Sequence, residues 1–104
     1  MKRIFELDGF KPSTAEFAVA LDLSAWLGTG VTIYSVAFTA KCLNDDTVAT
    51  TTVLDSTKNA NTTTTVSPWI KGGTSGNTYL VKIQVVSTSG FVEIFGLQFT
   101  VYDY

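Results

Sequence analysis

The sequence contains no histidine and a single cysteine among its 104 residues. Histidine is the commonest general base and the commonest metal ligand, so its absence removes most catalytic and metal-binding arrangements. Cys42 cannot form a disulfide within the chain, and nothing in the cysteine pattern marks the chain as secreted. A thiol without a histidine beside it, at the end of a strand, is most simply buried and unreactive. We therefore expect no enzyme activity and no cofactor.

Charged residues are scarce, at 15% of the sequence, and the formal net charge is -2. The seven basic residues are scattered apart from the pair Lys2-Arg3, so we expect no nucleic-acid partner. The hydrophobic fraction of 45% is sufficient for a real core and argues against disorder of the whole chain. A mean hydropathy of +0.24 is high for a soluble domain, which suggests that some apolar surface faces a partner.

One uncharged stretch, residues 23–40, approaches the length of a membrane span. Gly28-Thr29-Gly30 interrupts it, and a β-branched alternation follows, which a spanning helix would not show. Glu6 and Asp8 near the N-terminus exclude the apolar centre of a signal peptide. We therefore expect neither a membrane helix nor a secretory leader.

Seven segments have the composition or period of strands, and turn signals separate them. They are residues 2–7, 16–24, 31–41, 47–54, 62–67, 78–88 and 92–102. This pattern is typical of an all-β protein, specifically an immunoglobulin-like β-sandwich of about seven antiparallel strands in a single domain over residues 1–104. Residues 1–11 are either an edge strand of that domain or an arm that pairs with a neighbouring subunit.

The last two strands have the clearest alternation. Their predicted inward side chains are Tyr79, Val81, Ile83, Val85, Phe95, Leu97, Phe99 and Val101. A glycine-rich turn at residues 72–76 precedes Tyr79, so we expect a tyrosine corner, in which the hydroxyl bonds to the backbone a few residues upstream. The turn lacks the Lys-Ser/Thr ending of a phosphate loop, so we do not assign it to phosphate binding.

Residues 47–67 are rich in threonine. The pattern predicts a hairpin of strands 47–54 and 62–67 around a polar loop. A disordered linker is the alternative, because few large apolar side chains anchor the segment. Asp45 and Asp46 are interpreted as turn residues, since Ca²⁺ would need further oxygen ligands that this part of the sequence does not offer.

Five aromatic residues are candidates for contacts with a partner: Phe5, Trp26, Trp69, Tyr102 and Tyr104. Trp26 and Trp69 lie at strand ends beside glycine-containing loops, where a ring either stacks on a sugar face or packs at the rim of the core. Tyr102 and Tyr104 belong to a C-terminal segment that is either a solvated tail or a contact with a neighbour.

Four stretches together resemble a group of small proteins of tailed bacteriophages and prophages. They are Lys11-Pro12, LDLSAWL at 21–27, VTI through FTA at 31–40, and WIKGGTSGNTYLVKIQVVSTSG at 69–90. In that group a DWSAWL segment precedes an SGGTAGTTY-type segment and a final strand. The group is similar to immunoglobulin-like virion proteins, often encoded among head and head–tail joining genes. This sequence departs from the pattern at Leu23 and Phe38, where tryptophan is common.

The resemblance implies a non-enzymatic structural protein of a virion: a capsid decoration, a head-fibre base, or a neck or tail accessory protein. Such a protein would bind other virion proteins in several copies or as a homo-oligomer, without a membrane. It would be made in the cytoplasm of the bacterial host and located in the virion. The alternative is a carbohydrate- or cell-surface-binding module that uses Trp26 or Trp69.

Overall fold

The computed structural model describes residues 4–103, including all side chains except those of residues 7–9. This part of the chain contains nine strands and two single-turn helices. In chain order they are β1 (Ile4–Lys11), β2 (Phe17–Ala18), β3 (Leu21–Asp22), α1 (Ser24–Leu27), β4 (Ile33–Cys42), α2 (Thr50–Val53), β5 (Ala60–Asn61), β6 (Thr65–Ser67), β7 (Trp69–Ile70), β8 (Thr78–Ser87) and β9 (Val92–Val101).

The long strands form one layer, a four-stranded sheet in the order β1-β9-β8-β4. Strands β4, β8 and β9 pair antiparallel, as predicted, whereas β1 pairs with β9 in parallel. The expectation of a wholly antiparallel sandwich is therefore wrong for the first strand. No tight turn joins β1 to β9, since the whole chain between them intervenes, so hairpin geometry does not impose an antiparallel direction on this pair.

The short strands form the facing layer. Strand β2 pairs with β7, and β3 pairs with β6, which pairs in turn with β5. The N–H of Val19 donates to the carbonyl oxygen of Pro68 at 3.1 Å, between the two ladders. The segments 17–22 and 65–70 therefore run side by side as one interrupted pair of strands. The predicted strand 16–24 is thus largely confirmed, except that its end turns into α1.

The core lies between the two layers. All eight inward residues predicted for β8 and β9 are buried, with at most 3% of their surface exposed. Leu23, Val66 and Ile70 meet them from the opposite layer, each fully buried. Phe38 on β4 is half-buried and packs against this cluster. The burial of two facing apolar sets confirms an all-β fold of β-sandwich type.

The glycine-rich turn forms the tyrosine corner that the sequence predicts. The Tyr79 hydroxyl accepts a hydrogen bond from the Thr74 N–H at 2.9 Å, and its ring stacks on Phe99 with centroids 5.7 Å apart. Gly73 has a φ of +99°, and a Cβ there would lie 2.6 Å from Val101 Cγ2. The turn is therefore part of the packing of Tyr79, and the prediction that it shapes the core is confirmed.

The threonine-rich segment differs from the prediction. Residues 50–53 form α2 in place of a strand, and the hairpin pairs β5 with β6 through residues 62–64. The Thr50 hydroxyl donates to the Ala40 carbonyl oxygen at 3.3 Å and accepts from its N–H at 3.1 Å, while Val53 is fully buried. These contacts to β4 favour the helical turn over the strand that threonine prefers locally.

Strand β1 extends beyond the predicted strand 2–7 and continues to Lys11. Its register against β9 shifts between Glu6 and Phe10, as at a β-bulge. Lys11 is 4% exposed, and its Nζ donates to the carbonyl oxygens of Pro12 at 2.8 Å and Gly72 at 2.7 Å. The two carbonyls compensate the buried ammonium, which explains how a lysine can occupy this position.

Candidate interaction surface

The two tryptophans both lie at the rim of the core. Trp26, on α1, is half-buried and packs edge-to-face against Phe95 with ring centroids 5.5 Å apart. Trp69, on β7, is also half-buried; its Nε1–H donates to Glu16 Oε1 at 3.2 Å, and the Lys58 ammonium lies 4.8 Å from its ring centroid. The Trp69 ring therefore already has a cation over one face and an acceptor at its edge.

Phe5 and Tyr102 belong to the layer formed by the four-stranded sheet β1-β9-β8-β4, which we call the first layer; the facing layer of short strands is the second. Phe5 pairs with Leu97, is half-buried and packs against the core, so its ring serves the fold. Tyr102 is 48% exposed and follows β9; its ring centroid lies 5.5 Å from that of Phe10, which is 61% exposed. The fifth candidate, Tyr104, lies outside the described residues.

The four candidates within the described residues do not converge on one site, because they lie on both layers of the sandwich. The structure instead presents an apolar surface that the sequence reasoning missed, on the outer face of the first layer. Four neighbouring side chains form it, and we call them the outer stripe: Ile4, Leu80, Val92 and Ile94. Ile4, Val92 and Ile94 are 52%, 56% and 53% exposed. Val92 and Ile94 lie on the face of β9 opposite to the buried Phe95. The signal in the sequence was therefore that both faces of this strand carry apolar residues, where a strand with one solvated face would alternate.

Gly96 makes the outer stripe continuous. It lies opposite Ile4 on β1 and opposite Lys82 on β8. A Cβ at Gly96 would lie 3.1 Å from Leu80 Cδ1 and 3.6 Å from Ile4 Cγ1. Leu80 and Ile4 therefore lean over the glycine from both sides, and the close approach explains why a residue without a side chain occupies this strand position.

Two charged side chains flank the outer stripe. Glu6 lies on β1 opposite Gln98, and Lys82 lies on β8 opposite Gly96. Both point away from the core and are exposed. A third, Lys41, lies on β4 and forms an ion pair with Asp46 at 3.1 Å. The face thus has an apolar centre with the negative charge of Glu6 on the β1 side and the positive charge of Lys82 on the β8 side, while the charge of Lys41 is compensated by Asp46.

Asp103 holds the loop after β1 against the C-terminal segment. Its carboxylate accepts from the Ser13 N–H at 2.8 Å and from the Ser13 hydroxyl at 2.9 Å. These hydrogen bonds, the backbone one first, lower the pKa of Asp103 below its ordinary value. Burial lowers the pKa of the neighbouring Lys11, while the Asp103 and Glu16 carboxylates act in the opposite direction. This arrangement fastens β1 to the end of β9.

Two open hollows, each of about 270 Å³, flank α2. One has Phe38 and Leu54 among its lining residues, and the other has Lys41 and Val48. Within the described part of the chain, no group of three or more His, Cys, Asp or Glu side chains could hold a metal ion. Cys42 is buried, as predicted, and Asp45 accepts hydrogen bonds from the Thr47 N–H and hydroxyl within a turn.

No helix in the part of the chain that the structure describes is long and apolar enough to cross a membrane.

The sequence matches the model of one protein family, described as podophage GP4 fiber-tail adaptor protein gp77, over residues 11–101. A comparison with curated proteins found no significant match. The family match spans both sandwich layers, the tyrosine corner and most of the outer stripe.

Proposed function

We propose, from the premise that this chain belongs to the podophage GP4 fiber-tail adaptor family gp77, that it joins a fibre to the tail of a phage particle. The family is one of tailed-phage virion proteins, so the resemblance inferred from the sequence is confirmed at that level. Among the roles that the resemblance implied, an accessory protein of the tail fits the family description better than a capsid decoration does.

The family match is the observation that carries this proposal. The structure supports it because the described residues offer surfaces that suit contacts with other proteins. A sandwich with a layer of ten-residue strands is a rigid spacer, and exposed apolar side chains on one outer face suit contacts with other proteins. We infer a non-enzymatic structural role in the virion, with fibre and tail proteins as partners and several copies in the particle. An immunoglobulin-like topology is part of the same proposal.

The carbohydrate-binding alternative has less support from the geometry. Trp26 directs an edge-to-face contact at Phe95, and the Trp69 ring already lies beneath Lys58. A sugar-stacking platform needs an open ring face. Both rings are already in contact with neighbouring side chains, so we retain the adaptor function alone.

The proposal is tested on particles of the phage or prophage that encodes the chain. Particles made with the intact gene should bind antibody against this protein where fibres meet the tail, as seen by immunogold electron microscopy. Particles made with an early stop codon in the gene should have heads and tails but no fibres. Labelling of the capsid surface, or fibres retained without the protein, would contradict the adaptor function.

A further inference from the structure

Strand β4 forms one edge of the four-stranded sheet, so only one of its sides pairs with β8. In an antiparallel ladder the N–H and C=O groups of every second residue bond to the neighbouring strand, and those of the residues between point to the other side. Ala40 belongs to the second set, because its carbonyl oxygen accepts from the Ala49 N–H at 2.9 Å. By the same alternation, Val36 and Phe38 direct their N–H and C=O groups away from β8.

The chain itself covers both ends of this edge. Residue 49 lies beside Ala40, and at the other end the Ile33 N–H donates to the Thr63 carbonyl oxygen at 2.8 Å. Between them, no hydrogen bond from the residues that the structure describes reaches the outward backbone groups of Val36 and Phe38. We call residues 34–39 the β4 gap. At about 3.3 Å per residue it is roughly 20 Å long, which is room for a strand of about five residues.

The β4 gap has none of the features that usually prevent strand pairing at a sheet edge. Natural proteins protect exposed edges with charged residues, prolines and bulges. The opposite edge of this sheet, β1, has Glu6 and a shift in register after it. Residues 35–39, with the sequence SVAFT, contain no charged residue and no proline, and they keep a regular register with β8. The β4 gap is therefore the better suited of the two edges to receive a further strand.

We propose that the β4 gap binds an extended segment of another virion protein, which joins the sheet as a fifth strand. The inference rests on the adaptor function and names the kind of contact that it uses. The two N–H and two C=O groups of Val36 and Phe38, spaced two residues apart, match the backbone of an extended segment. A second copy cannot supply its own β4, because residues 49–50 and 63 flank that strand too and would meet the same residues of the first chain.

The side chains around the β4 gap suit such a segment. Residues 47–50 already run antiparallel beside the end of β4, where Val48 pairs with Lys41, and we expect the segment to continue in that direction. Tyr34 is 76% exposed at the other end and offers a ring for packing. Directly opposite residues of an antiparallel pair share a face, so the residue opposite Phe38 points toward the hollow of about 270 Å³ that Phe38 and Leu54 line. We expect an apolar side chain there.

Photo-cross-linking in assembled particles tests the inference. The photoreactive amino acid p-benzoylphenylalanine replaces Tyr34 at the β4 gap or, as the control, Phe10, which is 61% exposed on β1 at the opposite edge. On irradiation, position 34 should cross-link to one segment of another virion protein, which mass spectrometry identifies, and position 10 should not reach that segment. A cross-link from position 34 to a second copy of this chain, or no cross-link at all, would overturn the proposal.

Hydrogen exchange with a synthetic peptide of the cross-linked segment distinguishes strand addition from the covering of a face. In the free protein the amides of Val36 and Phe38 should exchange fast, and those of Ala37 and Thr39, which bond to β8, slowly. The peptide should slow the first pair about tenfold or more and leave the second pair little changed. A peptide that slows all four amides equally, or none of them, would contradict the proposal.

A proline in the β4 gap provides a second test. Val36→Pro removes an outward N–H without removing a bond to β8, which an edge strand tolerates. In isothermal titration calorimetry it should weaken peptide binding about tenfold or more, whereas Val36→Thr, which keeps the N–H and the branched side chain, should bind like the unmodified protein. Thermal unfolding checks that both variants are folded; if Val36→Pro is not, the exchange measurement decides. Unchanged binding by a folded Val36→Pro would count against strand addition.

The cross-linking and stop-codon experiments separate this inference from the adaptor function. Fibreless stop-codon particles together with no cross-link at position 34 would refute the role of the β4 gap alone. Fibres retained without the protein would refute the adaptor function itself.

Discussion

The hydroxyl of Tyr79 accepts a hydrogen bond from the N–H of Thr74, five residues upstream, at 2.9 Å. This contact joins the glycine-rich turn to the centre of the core, because the Tyr79 ring is 3% exposed and stacks on Phe99. The turn therefore shapes the sandwich.

Removing that hydroxyl should destabilise the fold. Tyr79→Phe leaves the ring in place but deprives the Thr74 N–H of its acceptor, so we expect a loss of about 1 kcal/mol or more in the free energy of unfolding. Urea denaturation measures it. Tyr34→Phe, at a side chain that is 76% exposed, is the control and should change little. Equal stabilities of Tyr79→Phe and the unmodified protein would refute the tyrosine corner.

Gly73 and Gly76 form a matched pair for testing the packing of the turn. Both have positive φ, at +99° and +92°, so alanine is strained at either position. A Cβ at Gly76 meets nothing within 4 Å, whereas one at Gly73 would lie 2.6 Å from Val101 Cγ2. Gly73→Ala should therefore lower the free energy of unfolding by about 1–3 kcal/mol more than Gly76→Ala. Similar losses in the two variants would show that the core accommodates the extra methyl group.

The contact between Ser13 and Asp103 predicts a pH dependence. Because its folded-state pKa is lowered, the Asp103 carboxylate contributes stability above its unfolded-state pKa and loses that contribution as pH falls through the folded-state pKa. NMR titration of the carboxyl carbon should find the lowered pKa. Ser13→Ala should raise it only part of the way, because the backbone N–H remains as a donor. A pKa unchanged by Ser13→Ala would contradict the hydroxyl contact.

Cys42 should resist modification while the protein is folded. It is 3% exposed, so a thiol reagent needs an opening of the structure before it can react. Reaction with Ellman's reagent should be slow in buffer and fast in denaturant. Thr63→Cys supplies an internal control at an exposed position, where one thiol should react at once and the other slowly. Rapid reaction of both thiols in buffer would contradict the burial of Cys42.

The sequence determined those parts of the fold in which local pattern and tertiary packing agree. The alternation of β8 and β9 predicted their buried faces, and glycine before Tyr79 predicted the corner, because side-chain period and permitted backbone angles are local properties. The same pattern carried the family resemblance. The contact residues were harder to predict, since a large aromatic side chain suits both a core rim and a binding surface.

Only the tertiary structure decided the rest. Residues 50–53 are helical because Thr50 bonds to Ala40, ten residues earlier, and Val53 is buried in the core, and the local pattern of threonines encodes neither contact. The parallel pairing of β1 depends on which sheet edge is free, and strand period carries no information about that. The outer stripe likewise exists because the fold brings Ile4 and Leu80 together over Gly96, across three strands. The side-chain period along a strand predicts which face of the strand each residue lies on, whereas the topology of the fold decides which of these faces pack together.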